Sequence, residues 1–214
     1  MKINAILKSK HFQICVILTV FGLCTTNLQA QSTTSPDTVC AGKTGASYYV
    51  SKTPGSTFHW IVPNGTIASG NNTDSITVNW SSTPGTDTMK VVEINAHGCY
   101  GDTQKLAVYR MPLPTATLSG TDTSVCQNFA TSFTVAFTGI GPWNFSYSNG
   151  TTTTSLTNIS ANPYTINTGI LTTSTTYTIT AVSNKFGCNG TTAGSGSHIV
   201  VVHPKPATSA IHHS

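Results

Sequence analysis

The sequence predicts an all-β protein made of two tandem antiparallel β-sandwiches that follow a cleaved signal peptide. Three observations predict this fold class. Apolar and polar residues alternate with a period of two, turn signals rich in Gly, Pro and Asn recur between the alternating segments, and the second half of the chain repeats motifs of the first. Charged residues make up only 7% of the chain, and Ser, Thr, Asn and Gly supply its polarity. This composition is typical of exported β-proteins rather than of amphipathic helical ones.

The N-terminus has the features of a secretory signal peptide. Lys2, Lys8 and Lys10 precede the apolar run ICVILTVFGLC, and Ala30 supplies the small residue expected before a cleavage site. The run is too short to span a bilayer comfortably, which makes a retained membrane anchor the weaker alternative. We therefore expect the protein to be exported, to the periplasm, the outer membrane or the cell surface.

The charge balance argues against nucleic acid or an anionic membrane as a partner. The whole chain has ten Lys and Arg against six Asp and Glu, but three of the ten lie in the predicted signal peptide. The exported chain therefore carries seven basic and six acidic groups, which is too even a balance to attract a polyanion.

Two motifs occur twice and divide the exported chain into related units. DTVC at 37–40 is echoed by DTSVC at 122–126, and NAHGCYGDT at 95–103 is echoed by NKFGCNGTT at 184–192. The predicted segments are the signal peptide at 1–30, a first sandwich at 31–112, a second sandwich at 113–204 and a C-terminal tail at 205–214.

The alternating segments predict strands that are buried on one face, as antiparallel sheets packed on one side require. About seven short strands in each unit is the pattern of an immunoglobulin-like sandwich. Trp60, Trp80 and Trp143 are predicted core residues, with a sugar-stacking platform as the alternative. The predicted inward-facing sets are Ile76, Val78 and Trp80 in SITVNW, Phe133, Val135 and Phe137 in SFTVAF, and Tyr177, Ile179 and Ala181 in TYTITA.

Four of the six cysteines lie outside the predicted signal peptide, and an even number in an exported chain predicts disulfides. In each unit one cysteine precedes the first alternating segment and the other lies in the repeated Gly-rich turn. Four cysteines allow three pairings, of which the repeat favours Cys40 with Cys99 and Cys126 with Cys188. Loops of this length would each contribute about 4 kcal/mol of stability.

The C-terminal tail resembles the segment that joins the two units. MPLPTATLSG at 111–120 leads into the second unit, and HPKPATSAI at 203–211 repeats its prolines in nearly the same order. One interpretation is a frayed end, as most chain termini are. The other is a strand that docks on an open sheet edge of another protein through Thr208, Ile211 and His213, with Ile211 filling a pocket.

Longer stretches resemble a known family. STFHWIVPNGTIASGNNTDSITVNW, followed by GTDTMKVVEINAHGCYGD, resembles the PKD-like repeats of large surface proteins from the Bacteroidota. GIGPWNFSYSNGTTTTSLTNI with STTYTITAVSNKFGCNGTTAGS is similar to sister repeats in gliding-motility adhesins and other type IX secretion clients. The resemblance covers most of 39–204. It implies an extracellular β-sandwich that acts as a spacer, adhesive or assembly module without catalysis.

The resemblance also implies details of role and modification. The commonest family members are very long and end in a folded sorting domain, whereas two units are predicted here, which favours a small subunit of an envelope assembly. DTV, DSI and DTM resemble the Asp, Ser/Thr, apolar triplets that carry O-linked glycans in Bacteroidota, which makes Thr38, Ser75 and Thr88 possible glycosylation sites.

No catalytic residue, metal site or cofactor is predicted. GSGSH at 194–198 has neither the strand-to-helix context of a nucleophile elbow nor a nearby acid. NNTD at 71–74 with Asp102 is a thin ligand set for calcium. The predicted function is a non-enzymatic structural or interaction subunit, linked to type IX secretion or gliding, whose partner is an outer-membrane or surface protein. The alternative is a carbohydrate-binding or adhesive module that uses exposed aromatic residues, the candidates being Tyr48, Tyr49, Tyr100 and Trp143.

Overall fold

A computed structural model describes residues 36–51, 53–119 and 122–213. These ranges contain fifteen β-strands and no helix, so the all-β prediction is confirmed. Consequently, no helix in this part of the chain is long and apolar enough to cross a membrane. The predicted signal peptide lies outside the described residues.

The first sandwich packs a four-stranded sheet against a three-stranded sheet, counted over the described residues. Its strands are β1 (Asp37–Cys40), β2 (Ala46–Tyr49), β3 (Thr57–Ile61), β4 (Gly65–Ser69), β5 (Ser75–Trp80), β6 (Gly85–Ile94) and β7 (Gln104–Met111). The larger sheet has the order β1-β7-β6-β3 and the smaller one β2-β5-β4. Neighbouring strands are antiparallel except for β1 and β7, which run parallel.

The second sandwich repeats this plan, with five strands in the larger sheet and three in the smaller one. Its strands are β8 (Ala116–Ser119), β9 (Thr123–Cys126), β10 (Phe129–Phe137), β11 (Trp143–Ser148), β12 (Thr153–Ile159), β13 (Tyr164–Leu171), β14 (Thr175–Asn184) and β15 (Ser197–His203). The sheet orders are β9-β15-β14-β11-β12 and β8-β10-β13. Here β9 and β15 form the parallel pair. The prediction of tandem sandwiches is therefore confirmed, while the predicted domain boundaries stay predictions.

Each sandwich has its own apolar core between its two sheets. In β5 the side chains of Ile76, Val78 and Trp80 are buried, as the period-two pattern predicts. Trp60 lies in the same core, and Trp143 lies in the core of the second sandwich. The prediction that the three tryptophans are core residues is therefore confirmed.

One predicted inward-facing residue is wrong. Ala181 is exposed, and Val182 takes its place in the core. The register between β11 and β14 shifts between Ser146, which pairs with Ala181, and Tyr147, which pairs with Ile179. The extra residue Thr180 forms a β-bulge, which reverses the inward and outward alternation beyond it.

A hydrogen-bonded chain of three side chains ties the two sheets of the first sandwich together. The hydroxyl of Tyr48 on β2 donates to Oδ2 of Asp37 on β1 over 3.0 Å. Nε1 of Trp80 on β5 donates to the same hydroxyl over 3.1 Å. Burial raises the pKa of Tyr48, and the negative charge of Asp37 raises it further. The folded protein therefore holds the Tyr48 proton more tightly than the unfolded chain does.

We expect Tyr48→Phe to lower the free energy of unfolding by about 1.5–3 kcal/mol at neutral pH, because it removes a hydrogen bond to a charged carboxylate. The contribution of Tyr48 is fully present below its unfolded pKa of about 10 and is lost as the pH rises above that value. Urea titrations at pH 7 and pH 11 should therefore show a smaller difference between Tyr48→Phe and the wild type at the higher pH. Tyr49→Phe is the matched control, since its side chain is exposed. A difference that is equal at both pH values would contradict this account.

Candidate interaction sites at the ends of the sandwiches

The repeated cysteine-containing motif forms the same turn in both sandwiches. Asn95 Oδ1 accepts hydrogen bonds of 2.9 Å from the backbone amides of His97 and Cys99. Asn184 Oδ1 accepts hydrogen bonds of 3.0 Å from those of Phe186 and Cys188. The motif thus begins with an Asn that organises the turn, a role that the sequence analysis missed although the repeat contains it.

Glycine is required inside each of these turns. Gly98 and Gly187, which precede the cysteines, have φ angles of +79° and +82°. This left-handed conformation is readily available to glycine and costly for most other residues. We call the two segments, 95–103 and 184–192, the cysteine turns.

The strands β1 and β9, which end at Cys40 and Cys126, also end alike. Cys40 pairs in register with Met111, and Cys126 pairs in register with His203. In each case the next backbone amide donates to the paired residue: Ala41 N to Met111 O over 2.9 Å, and Gln127 N to His203 O over 2.8 Å. Each sandwich therefore carries one cysteine in its cysteine turn and one beside the end of its last strand. The two cysteines occupy equivalent positions in both sandwiches.

The disulfide of the structure joins the two sandwiches and does not close either one. Cys40 is bonded to Cys188, with their Cα atoms 5.5 Å apart. Cys99 and Cys126 are exposed, and neither is bonded to another cysteine of the described ranges. The predicted pairings of Cys40 with Cys99 and of Cys126 with Cys188 are therefore wrong.

Strand geometry explains the error. Cys40 lies beside the end of β7, whereas Cys99 lies in the turn before β7 begins. The eight residues of β7 separate these positions by roughly 25 Å at the usual rise of a strand, and a disulfide requires Cα atoms within about 7 Å. In the second sandwich β15 separates Cys126 from Cys188 in the same way.

The connecting segment is fixed by the same cysteine turn. Only 112–115 separate β7 from β8, and Pro114 is fully buried. A Cβ atom at Gly190 would overlap the carbonyl oxygen of Pro114, so only glycine allows the turn to pack this closely. Thr115 also forms an isolated parallel bridge with Thr191. The disulfide and the packed connector together hold the second sandwich against the end of the first.

The C-terminal tail does not form a strand. Residues 204–213 have no regular structure, and they make no strand pairing with any described residue. The predicted docking residues Thr208, Ile211 and His213 are exposed, and Ile211 is 100% exposed. Their docking role stays a prediction.

Two of the four aromatic candidates for sugar binding are wrong. Tyr48 and Trp143 are each only 8% exposed because they pack into the cores, so neither presents a ring face to a ligand. Tyr49 and Tyr100 are 61% and 76% exposed and remain candidates. The proposed glycosylation residues Thr38, Ser75 and Thr88 are all exposed, and their modification stays a prediction.

The histidine of GSGSH is a core residue. His198 is buried and stacks on Phe133, with 4.5 Å between the ring centroids. Its Nε2 lies 3.3 Å from the hydroxyl of Thr123, and its buried Nδ1 has no hydrogen-bond partner among the described residues. The described residues also contain no group of three or more His, Cys, Asp or Glu side chains placed to hold a metal ion.

Comparisons with known proteins agree with this architecture. Residues 26–108 match the family model of the PKD-like domain. The first sandwich is therefore similar to PKD-like domains, as its resemblance implied. PKD-like and immunoglobulin-like modules generally have structural or interaction roles. Modules of this kind that carry a disulfide are typical of extracellular proteins. No curated protein sequence matches the chain.

Several solved structures are distantly similar. The fibronectin(III)-like modules of Clostridium thermocellum CbhA are 16% identical, with 84% of this chain and 96% of that chain covered and a TM-score of 0.36. Extracellular domains 3–5 of Drosophila OTK are 11% identical, with 80% of this chain and 59% of that chain covered and a TM-score of 0.44. The sandwich fold itself is established by the sheet orders and the two cores.

Proposed function

We propose that this protein is an exported, non-enzymatic structural subunit of a Bacteroidota cell-envelope system linked to type IX secretion or gliding. The observation that carries the proposal is the disulfide between Cys40 and Cys188, which fastens one sandwich to the next. Disulfides persist in oxidising compartments, which supports export. A pair of sandwiches held by both a disulfide and a packed connector suits a role in transmitting position or force, since the unit cannot bend freely at its junction.

The tail is the proposed docking segment. It repeats the prolines of the connector that precedes β8, and in the second sandwich β8 pairs antiparallel with β10. A tail that follows the same course on an outer-membrane or surface protein would add a strand to an open sheet edge, with main-chain hydrogen bonds giving affinity and Ile211 entering an apolar pocket.

A pull-down from detergent-solubilised Bacteroidota envelopes tests this role. The bait proteins are the full chain, a chain that ends at Pro204, and the variant Ile211→Asp, with captured proteins quantified by mass spectrometry. We expect truncation and Ile211→Asp each to reduce capture of an outer-membrane protein at least tenfold. Lys205→Ala is the matched control because it changes the exposed tail outside the predicted strand, and its capture should equal that of the wild type. Equal capture by all four proteins would overturn the docking role.

A second candidate function is carbohydrate binding, favoured by the exposure of Tyr49 and Tyr100. Exposed aromatic rings are the surfaces on which sugar rings stack. A glycan array would support this function only if a specific signal is lost in Tyr49→Ala or Tyr100→Ala and is retained in Tyr109→Phe.

A further inference from the structure

We propose that copies of this chain join head to tail through a disulfide between Cys126 of one copy and Cys99 of the next. The inference rests on the proposed export of the chain and gives the tail a different partner from the envelope protein proposed above, namely a second copy. It is drawn from the junction within the chain, where three elements meet: a cysteine beside the end of a last strand, a proline-containing connector and the cysteine turn of the following sandwich.

The far end of the second sandwich reproduces the first of these elements. Cys126 is in register with His203 just as Cys40 is with Met111, and the amide of Gln127 repeats the hydrogen bond made by that of Ala41. Cys40 is used in the disulfide, whereas Cys126 is exposed and unpaired in the described structure. The C-terminal end of the second sandwich therefore carries the same arrangement of cysteine and strand end that the first sandwich uses to bond the second.

The opposite end of the first sandwich carries the cysteine turn at 95–103, which is equivalent to the cysteine turn that the second sandwich presents to the first. Cys99 is held by Asn95 as Cys188 is by Asn184, yet Cys99 is exposed whereas Cys188 is fully buried. Gly101 occupies the position of Gly190. Among the described residues, a Cβ atom built there would meet Glu93 alone, at 3.6 and 3.8 Å, so no described residue fills above Gly101 the space that Pro114 fills above Gly190.

The tail supplies the connector. Pro204 and Pro206 follow His203 at the same spacing at which Pro112 and Pro114 follow Met111. Placed like the internal connector, the tail lays Pro206 over Gly101 of the next copy. Residues 208–211 then run along β2, which is an edge strand of its sheet within the described residues. In the second sandwich β8 occupies the corresponding edge of β10.

The geometry requires two copies. The internal disulfide places Cys40 and Cys188 at the junction, and in each sandwich the other cysteine lies at the opposite end of the strands. Cys99 and Cys126 of one chain are therefore at the two far ends of the pair and cannot meet. A contact between different surfaces of identical copies does not close on itself by two-fold symmetry, so it propagates from copy to copy and gives an open series of chains or a ring.

The bond forms by thiol–disulfide exchange with a disulfide oxidant, either a small-molecule disulfide or an oxidised protein dithiol. One cysteine thiolate attacks the oxidant, releases one of its thiols and forms a mixed disulfide. The thiolate of the other cysteine then attacks the cysteine sulfur of that mixed disulfide and displaces the oxidant's second thiol. The two cysteines together lose two protons and two electrons, and the oxidant is reduced to its thiols. Exposure of both Cys99 and Cys126 makes both accessible to this chemistry.

Two complementary single variants test the proposal. Of the two exposed cysteines, Cys99→Ser keeps Cys126, beside the end of β15, and Cys126→Ser keeps Cys99, in its cysteine turn. Each is secreted as the full chain into a bacterial periplasm, purified, and incubated alone or in an equimolar mixture with reduced and oxidised glutathione. Products are analysed by non-reducing electrophoresis, light scattering and mass spectrometry of disulfide-linked peptides. Retention of the peptide that links Cys40 to Cys188 is the control for folding.

We expect the mixture to form a capped 1:1 dimer linked through Cys126 and Cys99, with at least tenfold more dimer than either variant forms alone. The wild type should form a ladder of longer species. A mixture that stays monomeric, or that forms symmetric dimers as readily as mixed ones, would overturn the inference. Ending both variants at Pro204 should slow dimer formation at least fivefold, and an unchanged rate would remove the tail from the junction.

This outcome is separable from that of the envelope pull-down. A mixed dimer without capture of an envelope protein would remove the proposed docking role and leave the head-to-tail junction in place. Capture through the tail without a mixed dimer would do the reverse.

Discussion

Replacing Arg110 with alanine is expected to lower the free energy of unfolding of the first sandwich by about 3–5 kcal/mol. Arg110 on β7 and Asp87 on β6 are only 3% and 7% exposed, and Arg110 Nε lies 2.6 Å from Asp87 Oδ2. Asn64 Nδ2 donates to the other carboxylate oxygen over 2.7 Å, and Arg110 Nη1 donates to the carbonyl of Thr83. The variant leaves the Asp87 carboxylate buried with only one of its hydrogen-bond partners.

Urea unfolding followed by tryptophan fluorescence measures this effect. Lys105→Ala is the matched control, because it removes a positive charge from the exposed face of the same strand and should change stability by no more than about 0.5 kcal/mol. The double variant Arg110→Met with Asp87→Leu should be far less destabilised than Arg110→Ala, since it removes both charges together. Equal stabilities for Arg110→Ala and Lys105→Ala would show that the pair contributes nothing.

The ion pair between Arg110 and Asp87 is not among the features that the sequence predicts. In the sequence, Asp87 forms part of a possible glycosylation triplet, and Arg110 belongs to none of the predicted sites. The signal was present, because Arg110 follows Val108 at a period of two on β7 and therefore occupies an inward-facing position. A charged residue on the buried face of a strand requires a partner. The sequence does not say which of the few carboxylates provides it, since that depends on strand order.

The strands themselves were predictable because burial on one face imposes alternation that any segment reveals locally. The error at Ala181 arose from a bulge, which depends on the register with β11 and leaves no mark in the alternation before it. The cysteine pairing failed for a different reason. A repeat identifies equivalent positions, but equivalent cysteines can pair within a unit or between successive units. Only the parallel pairing of β1 with β7 and of β9 with β15, which places the two cysteines of a unit at opposite ends, decides between these arrangements.

Removing the disulfide between the sandwiches is the second large effect we expect. The Cys40→Ala, Cys188→Ala double variant opens a loop with a sequence separation of 148 residues, and the chain-entropy estimate for a loop of that size is about 5 kcal/mol. Because the loop spans most of both sandwiches, the cost applies when both unfold. We expect a lower denaturation midpoint for the variant, with the two sandwiches unfolding in separate transitions.

The Cys99→Ala, Cys126→Ala double variant is the matched control, since it removes two cysteines from equivalent positions that are exposed and unpaired in the described structure. Its stability should lie within about 0.5 kcal/mol of the wild type. Disulfides within units and a disulfide between units predict different outcomes. Disulfides within each unit would make both double variants destabilising, because each double variant would break two disulfides. A single bond between the units makes only the Cys40, Cys188 variant destabilising. Denaturation of both variants without reductant, with peptide mapping of the wild type, therefore tests directly whether consecutive sandwiches are fastened to each other.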